Sequence, residues 1–192
     1  MQANKKGSIL FSTLSLLLVA GIIACLVALV NSFTAPVIAE QNKEALKQNI
    51  EKIFPGSSDY EDVTASLGDT DGVVAVYEVK SVTGGEDNYC VHTSAPGYGG
   101  AVELLVGFNC DGQIVGVCVL AADGETPGVG QKIKEQSFLN GFAGLEYDNE
   151  GAKVDGVSGA TVSSTAAVKA VNNACAAVEK LLATETSEEV SE

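Results

Sequence analysis

The sequence predicts an α+β fold: a bent antiparallel sheet flanked by helices, with one N-terminal transmembrane helix. Three observations lead there. Residues 9–30 form a run of 22 positions without a charged side chain. Residues 73–120 break into short apolar or alternating segments divided by turn residues. Residues 161–182 carry a single apolar face at helical spacing.

The uncharged run makes a helix of about 33 Å, enough for a hydrocarbon core of about 30 Å. It is longer than the apolar core of a signal peptide, and no Ala-x-Ala follows it, so it reads as a retained span. Lys5 and Lys6 precede it, and the next stretch, residues 31–41, holds Glu40 and no Lys. The positive-inside rule then predicts a cytoplasmic N-terminus at residues 1–8, a span at 9–30 and an extracytoplasmic remainder in the cell membrane. A juxtamembrane helix is predicted over residues 31–56, capped by Thr34 with Pro36 in its first turn. Ile38, Leu46, Ile50 and Ile53 recur along it until Phe54-Pro55-Gly56 stops it. The main domain spans residues 57–182.

Within that domain residues 57–71 read as a polar loop. Val73, Ala75, Tyr77 and Val79 alternate as one buried face of a strand. Thr83-Gly84-Gly85-Glu86 reads as a turn into a partner strand at residues 89–93. Residues 102–108 and 114–120 flank Asp111-Gly112, a strong hairpin signal. Residues 132–142 suggest a short helix with Ile133, Phe138 and Phe142 inward, and residues 154–157 a short strand. The last helix, about 161–182, turns Ala167, Val171, Ala174, Val178 and Leu181 to the core. Residues 183–192 are acidic and small, the composition of a disordered tail.

Charge narrows the function. There is no Arg; nine Lys and all 25 acidic residues follow the apolar run, so that part carries 9 − 25 = −16. Such a surface repels phosphate backbones and predicts no nucleic-acid partner. His92 is the only His, which rules out multi-His metal sites, and it reads as an ordinary sheet residue. There is no Cys-x-x-Cys among Cys25, Cys90, Cys110, Cys118 and Cys175, which argues against zinc or iron–sulfur binding. With a two-residue Asp111-Gly112 turn, Cys118 falls opposite residue 105. Cys110 is then about 17 Å away along the strand, too far for a disulfide. Pairing with Cys90 or Cys175 stays open. The chain offers no catalytic residue and no metal site of its own.

Asp155-Gly156-Val157-Ser158-Gly159-Ala160-Thr161 leads straight into the last helix. Free backbone N–H groups and the positive end of the helix dipole favour phosphate there. Gly159 and Ala160 permit close approach, and Thr161 adds a hydroxyl. On these residues alone, an anion site and a plainly capped helix, with Ser158 or Thr161 as cap, are both open.

Ser158-Gly159-Ala160-Thr161, with Asp155 before it and Ser163-Ser164 after, resembles the flavinylation motif of the FMN-binding domain family. Gly97-Tyr98-Gly99-Gly100 and Glu125-Thr126-Pro127-Gly128-Val129-Gly130 resemble further segments of that family, with Val129 where Leu is usual. Thr13-Leu14 and Asn31-Ser32-Phe33-Thr34 resemble the membrane anchor of the G subunit of Rnf-type ion-translocating electron transport complexes. That likeness is closer than the one to the related C subunit of the sodium-pumping quinone reductase.

The resemblance implies FMN held covalently through its phosphate on Thr161, attached by a separate flavin transferase that uses FAD. It implies a relay of electrons beside other membrane subunits of the complex, which couples ferredoxin and NAD to ion translocation. Thr126, Gly128 and Val129 would border the flavin. Ser158 and Ser164 would bond the phosphate or merely cap the helix, Tyr98 would stack or merely pack, and Lys132 would balance charge or stay solvated. Two other functions remain open: a stand-alone membrane-anchored flavin reductase, and a non-redox assembly module.

Overall fold

The computed structural model describes residues 3–57, 59–68, 70–80, 87–145 and 151–189, with the backbone alone at 3–12, 39 and 185–189. The chain divides into two units, Met1–Leu46 and Lys47–Glu192.

The first unit is helical throughout its described residues. Helix α1, Ala3–Ile53, runs through it without a break, Pro36 included. It is apolar and long enough to cross a membrane, with a mean hydropathy of 2.8 in its best window and none of that window buried. A new helix start at Thr34 is not seen. Thr34 instead donates its hydroxyl to the Val30 carbonyl, and Ser32 donates to that of Leu29. These hydroxyls bond back into the helix rather than capping another one.

The second unit holds the last turns of α1 and a five-stranded antiparallel sheet in sequential order: β1 (Tyr60–Asp62), β2 (Val73–Val79), β3 (Asn88–Pro96), β4 (Ala101–Phe108) and β5 (Ile114–Ala121). Residues 57–71, read as loop, contain β1 and the short helix α2 (Thr64–Leu67). β1 is only three residues long, too short to show a period, and it is held on β2 with Tyr60 edge-on to Tyr77 at 5.5 Å. The turn expected at residues 83–86 lies outside the described residues, but the strands on either side of it do pair.

The β4–β5 hairpin has a three-residue loop, Cys110 to Gly112, rather than two residues. Asn109 N–H donates to the Gln113 carbonyl, Gly112 N–H donates to the Asn109 carbonyl, and Gly112 takes φ 79°. An irregularity at Gly107/Phe108 absorbs the extra residue, so Cys118 still pairs with Leu105. In β2 the expected alternation holds from Ala75 to Val79, and an irregularity between Val73 and Ala75 takes only Val73 off that face. Val73 packs with Val76 on the main core while Ala75, Tyr77 and Val79 turn to the opposite side, because one inserted residue reverses the alternation at Val73.

Both sheet faces are covered. On one lies α4 (Thr161–Glu189), with Ala167, Val171, Ala174, Val178 and Leu181 at most 5% exposed. Each buried Val there contributes about 1.5–3 kcal/mol. On the other lie Ile50 and Ile53 of α1. A cross-strand row of Tyr77, Cys90, Gly107 and Gly116 runs across this face, and the absence of a side chain at Gly107 makes room for Ile53 and Phe54.

After β5 the chain forms a 3₁₀ turn (Gly130–Lys134), helix α3 (Gln136–Leu139) and a second 3₁₀ turn (Asn140–Phe142). Ile133, Phe138 and Phe142 are buried as the sequence predicts. Residues 154–157 are not a strand. Their neighbourhood bonds to α4 side chains instead: Ala152 N–H donates to Asn172 Oδ1 at 2.7 Å, and Val157 N–H to Ser164 Oγ at 2.9 Å. α4 continues to Glu189, past the predicted end near Leu182 and into the segment expected to be disordered. Ala and Glu are good helix formers, and extending an existing helix adds a hydrogen bond for each residue fixed.

A Cβ at Gly107 would overlap Ile53, whereas one at Gly116 would sit 3.6 Å from it, an ordinary contact. Gly107→Ala is therefore expected to destabilise the second unit by about 1–3 kcal/mol and Gly116→Ala to be near neutral. Thermal unfolding of the two variants in detergent checks the contrast.

Candidate functional site

Three chain segments converge at one end of the sheet. The first is the β3–β4 turn, where Gly97 N–H donates to the Gly100 carbonyl at 2.8 Å and carries Tyr98-Gly99 at its tip. Gly99 lies so close to the Gly124 carbonyl that a Cβ would overlap it.

The second segment leaves β5. Val129 N–H donates to the Thr126 carbonyl at 3.2 Å, with Pro127 and Gly128 between them and Gly128 at φ 72°. Pro fixes the first central position and Gly supplies the positive φ at the second, the chemistry of a type II turn. The third segment enters α4. Ala160 N–H donates to the Val157 carbonyl, Gly159 sits at φ 80°, and Ser164 N–H makes the first helical bond, to Ala160. The N–H groups of Thr161, Val162 and Ser163 open the helix, where no intrahelical acceptor exists for them.

Glu125 joins the three. It is 2% exposed. Its Oε1 accepts the Tyr98 N–H at 2.8 Å, and its Oε2 accepts the Ser163 hydroxyl. A Cβ at Gly97 or Gly130 would collide with this carboxylate, so glycine is required on both flanks.

A pocket of about 430 Å³ opens among the segments, lined by Tyr98, Thr126, Val129, Gly130, Gly159, Ala160, Thr161, Val162 and Ser163. Among the described residues of the second unit, five large apolar side chains are exposed: Val74, Tyr98, Val115, Val129 and Val162. Three of them line this one pocket, which marks it as a surface suited to an apolar or aromatic ligand. Thr161, the first residue of α4, is exposed and lines the pocket.

Of the residues singled out from sequence, the pocket gathers Thr161, Gly159, Ala160, Thr126, Val129 and Tyr98. Ser158 is exposed on the preceding turn and Gly128 sits in the Pro-Gly turn; neither is in the lining. Ser164 is buried, its hydroxyl accepts the Val157 N–H, and it is not in the lining. Glu125 and Ser163, which sequence reasoning placed in the motif segments without giving either a role, are joined here by a hydrogen bond, and Ser163 lines the pocket. The signals were the family-like segment that Glu125 opens and the Ser163-Ser164 pair that follows Thr161.

A second hollow of about 490 Å³ is lined by Ser137, Phe138, Gly141, Lys153, Val154 and Asp155. It contains neither Thr161 nor any of the exposed apolar side chains. His92 lies on the sheet with Nε2 3.1 Å from Glu103 Oε2, outside both hollows. No cluster of three or more metal-ligating groups occurs among the described residues. All five cysteines are free thiols.

Residues 97–176 match the family described as FMN-binding domain, an interval that contains every pocket residue. Residues 1–53 match the RnfG N-terminal region. The chain is 35% identical to the G subunit of the ion-translocating oxidoreductase complex of Pseudomonas aeruginosa, over 96% of this chain and 97% of that one. It is 36% identical to the corresponding G subunit of Methanosarcina acetivorans, over 71% of this chain and 74% of that one. It is 29% identical to the G subunit of the Na(+)-translocating ferredoxin:NAD(+) oxidoreductase complex of Acetobacterium woodii, over 88% of this chain and 87% of that one.

Burial pushes the Cys90 thiol well up and that of Cys175 up to about 12. Both stay protonated near pH 8 and thus unreactive, since the thiolate is the nucleophile. Iodoacetamide at that pH is expected to spare Cys90 and Cys175 in the folded protein and to alkylate both in urea, as read by peptide mass spectrometry.

Proposed function

The chain belongs to the G-subunit family of ion-translocating oxidoreductase complexes, and on that premise we propose that it carries FMN covalently on Thr161 and relays electrons between partner subunits. One observation carries this reading: an exposed Thr161 at a helix opening, lining a pocket rimmed by exposed Tyr98, Val129 and Val162.

The residues present suit the group. The opening turn of α4 offers N–H donors and a positive dipole end to a phosphodiester carrying one negative charge, without Arg or Lys. Gly159 at φ 80° brings the backbone round into the helix with no side chain in the way. Tyr98, Val129 and Val162 supply apolar area for a flat heteroaromatic ring, and Thr126 supplies a hydroxyl at the wall. The flavin accepts one or two electrons, so it links two-electron donors to one-electron carriers. A covalent tether keeps it in place where free flavin is scarce.

Attachment belongs to a separate flavin transferase with FAD as donor. Thr161 would supply the oxygen that bonds to the FMN phosphorus, losing its proton as the pyrophosphate bond of FAD breaks and AMP leaves. The single span sets Lys5 and Lys6 in the cytoplasm and the flavin domain outside the cell membrane. There it works beside the other membrane subunits of the complex, which handle ferredoxin, NAD and the translocated ion.

Wild type made with a flavin transferase is expected to gain the mass of one FMN and to fluoresce in the gel. Thr161→Ala is expected to gain none, and Thr161→Ser to retain part of the loading. Intact-mass spectrometry decides, and an undiminished adduct on Thr161→Ala overturns the assignment.

A further inference from the structure

We propose that Glu125 is a positioning and tuning residue whose buried negative charge holds the reduction potential of the pocket's flavin low. The inference rests on the FMN reading above.

A carboxylate only 2% exposed is costly to bury unless it is paired or fully hydrogen-bonded. Among the described residues no cation pairs with Glu125. Its partners are neutral: the Tyr98 N–H on Oε1 and the Ser163 hydroxyl on Oε2. Both oxygens accept, the role an ionised carboxylate fills. Gly97 and Gly130 close round it where any side chain would collide.

The charge lies one layer behind the pocket wall, because Gly130 and Ser163, which pack against it, both line the pocket. Salt screens a buried charge weakly, and its field is far stronger there than in water. Two-electron reduction of a flavin takes two electrons from the donor and one or two protons from solvent. When one proton is taken up, the ring ends with one added negative charge. Glu125 repels that charge and so favours the oxidised form. A Gln at this position still accepts the Tyr98 N–H and donates to the Ser163 oxygen, which separates charge from geometry.

The full-length chain, produced with a flavin transferase and held in detergent, is titrated spectroelectrochemically near neutral pH with dithionite and mediators. Intact mass is measured on each sample. Glu125→Gln is expected to shift the midpoint positive, Glu125→Asp to stay near wild type, and Ser163→Ala, which strips a donor from the charge, to shift it negative. Equal midpoints for loaded wild type and loaded Glu125→Gln overturn the inference and leave the FMN reading standing, as does an Asp variant as positive as Gln. Absence of FMN on wild type overturns the FMN reading instead. Where the Gln variant fails to accumulate, Ser163→Ala decides: a midpoint at or above wild type overturns the inference.

Discussion

The carboxylate of Glu125 accepts a backbone N–H from the β3–β4 turn and a hydroxyl from the first turn of α4, while its own backbone belongs to the loop leaving β5. Every residue lining the candidate pocket comes from one of these three segments. Hydrogen bonds to a charged group are worth about 1.5–3 kcal/mol each, more than a typical surface contact. Around this acceptor the chain must come very close to itself, which explains the glycines at 97, 99, 124 and 130. The site is thus assembled by one acceptor and by positions where no side chain fits.

The sheet supplies the rigid base for that clasp. The C-terminal ends of β3 and β5 and the start of β4 lead into two of the three segments, and α4 packs on β3 and β4. Core contacts on both faces limit how far these ends can shift. On the face away from α4, the glycines of β4 and β5 admit Ile53, so the sheet is buried there without thickening the domain. A pocket held this way is largely formed before any ligand arrives, which suits a group attached once and kept.

Much of this was legible in the residues. Period-two alternation and Asp111-Gly112 located the strands, and the spacing of Ala167, Val171, Ala174, Val178 and Leu181 identified the buried face of the last helix. The Cys118–Leu105 pairing was also readable, although the loop contains three residues and a nearby irregularity restores the register. Irregularities themselves leave no mark in a periodic pattern, so the face swap at Val73/Ala75 was invisible. The segment at 154–157 looked like a strand because it is bounded by the β-branched Val154 and Val157, yet its donors and those beside it go to Asn172 and Ser164, side chains on another element. Thr34-Pro36 looked like a helix start because local rules favour one, and the continuous α1 overrides them. At the site, Thr161, Tyr98, Thr126 and Val129 were recognisable from motifs. Glu125 stood in the same motif as Thr126 and Val129, but its contacts were not legible, because they reach partners 27 and 38 positions away.

Under the proposed function, the helix opening with Thr161, the apolar rim beside it and the buried carboxylate behind the wall would seat a phosphate-linked aromatic redox group. Peptide mapping with fragment-ion sequencing tests this most directly, on the full-length chain produced with a flavin transferase. FMN is predicted on a single peptide, with fragment ions bracketing the adduct to Thr161. FMN bracketed to another residue, or flavin released intact on denaturation, would contradict it.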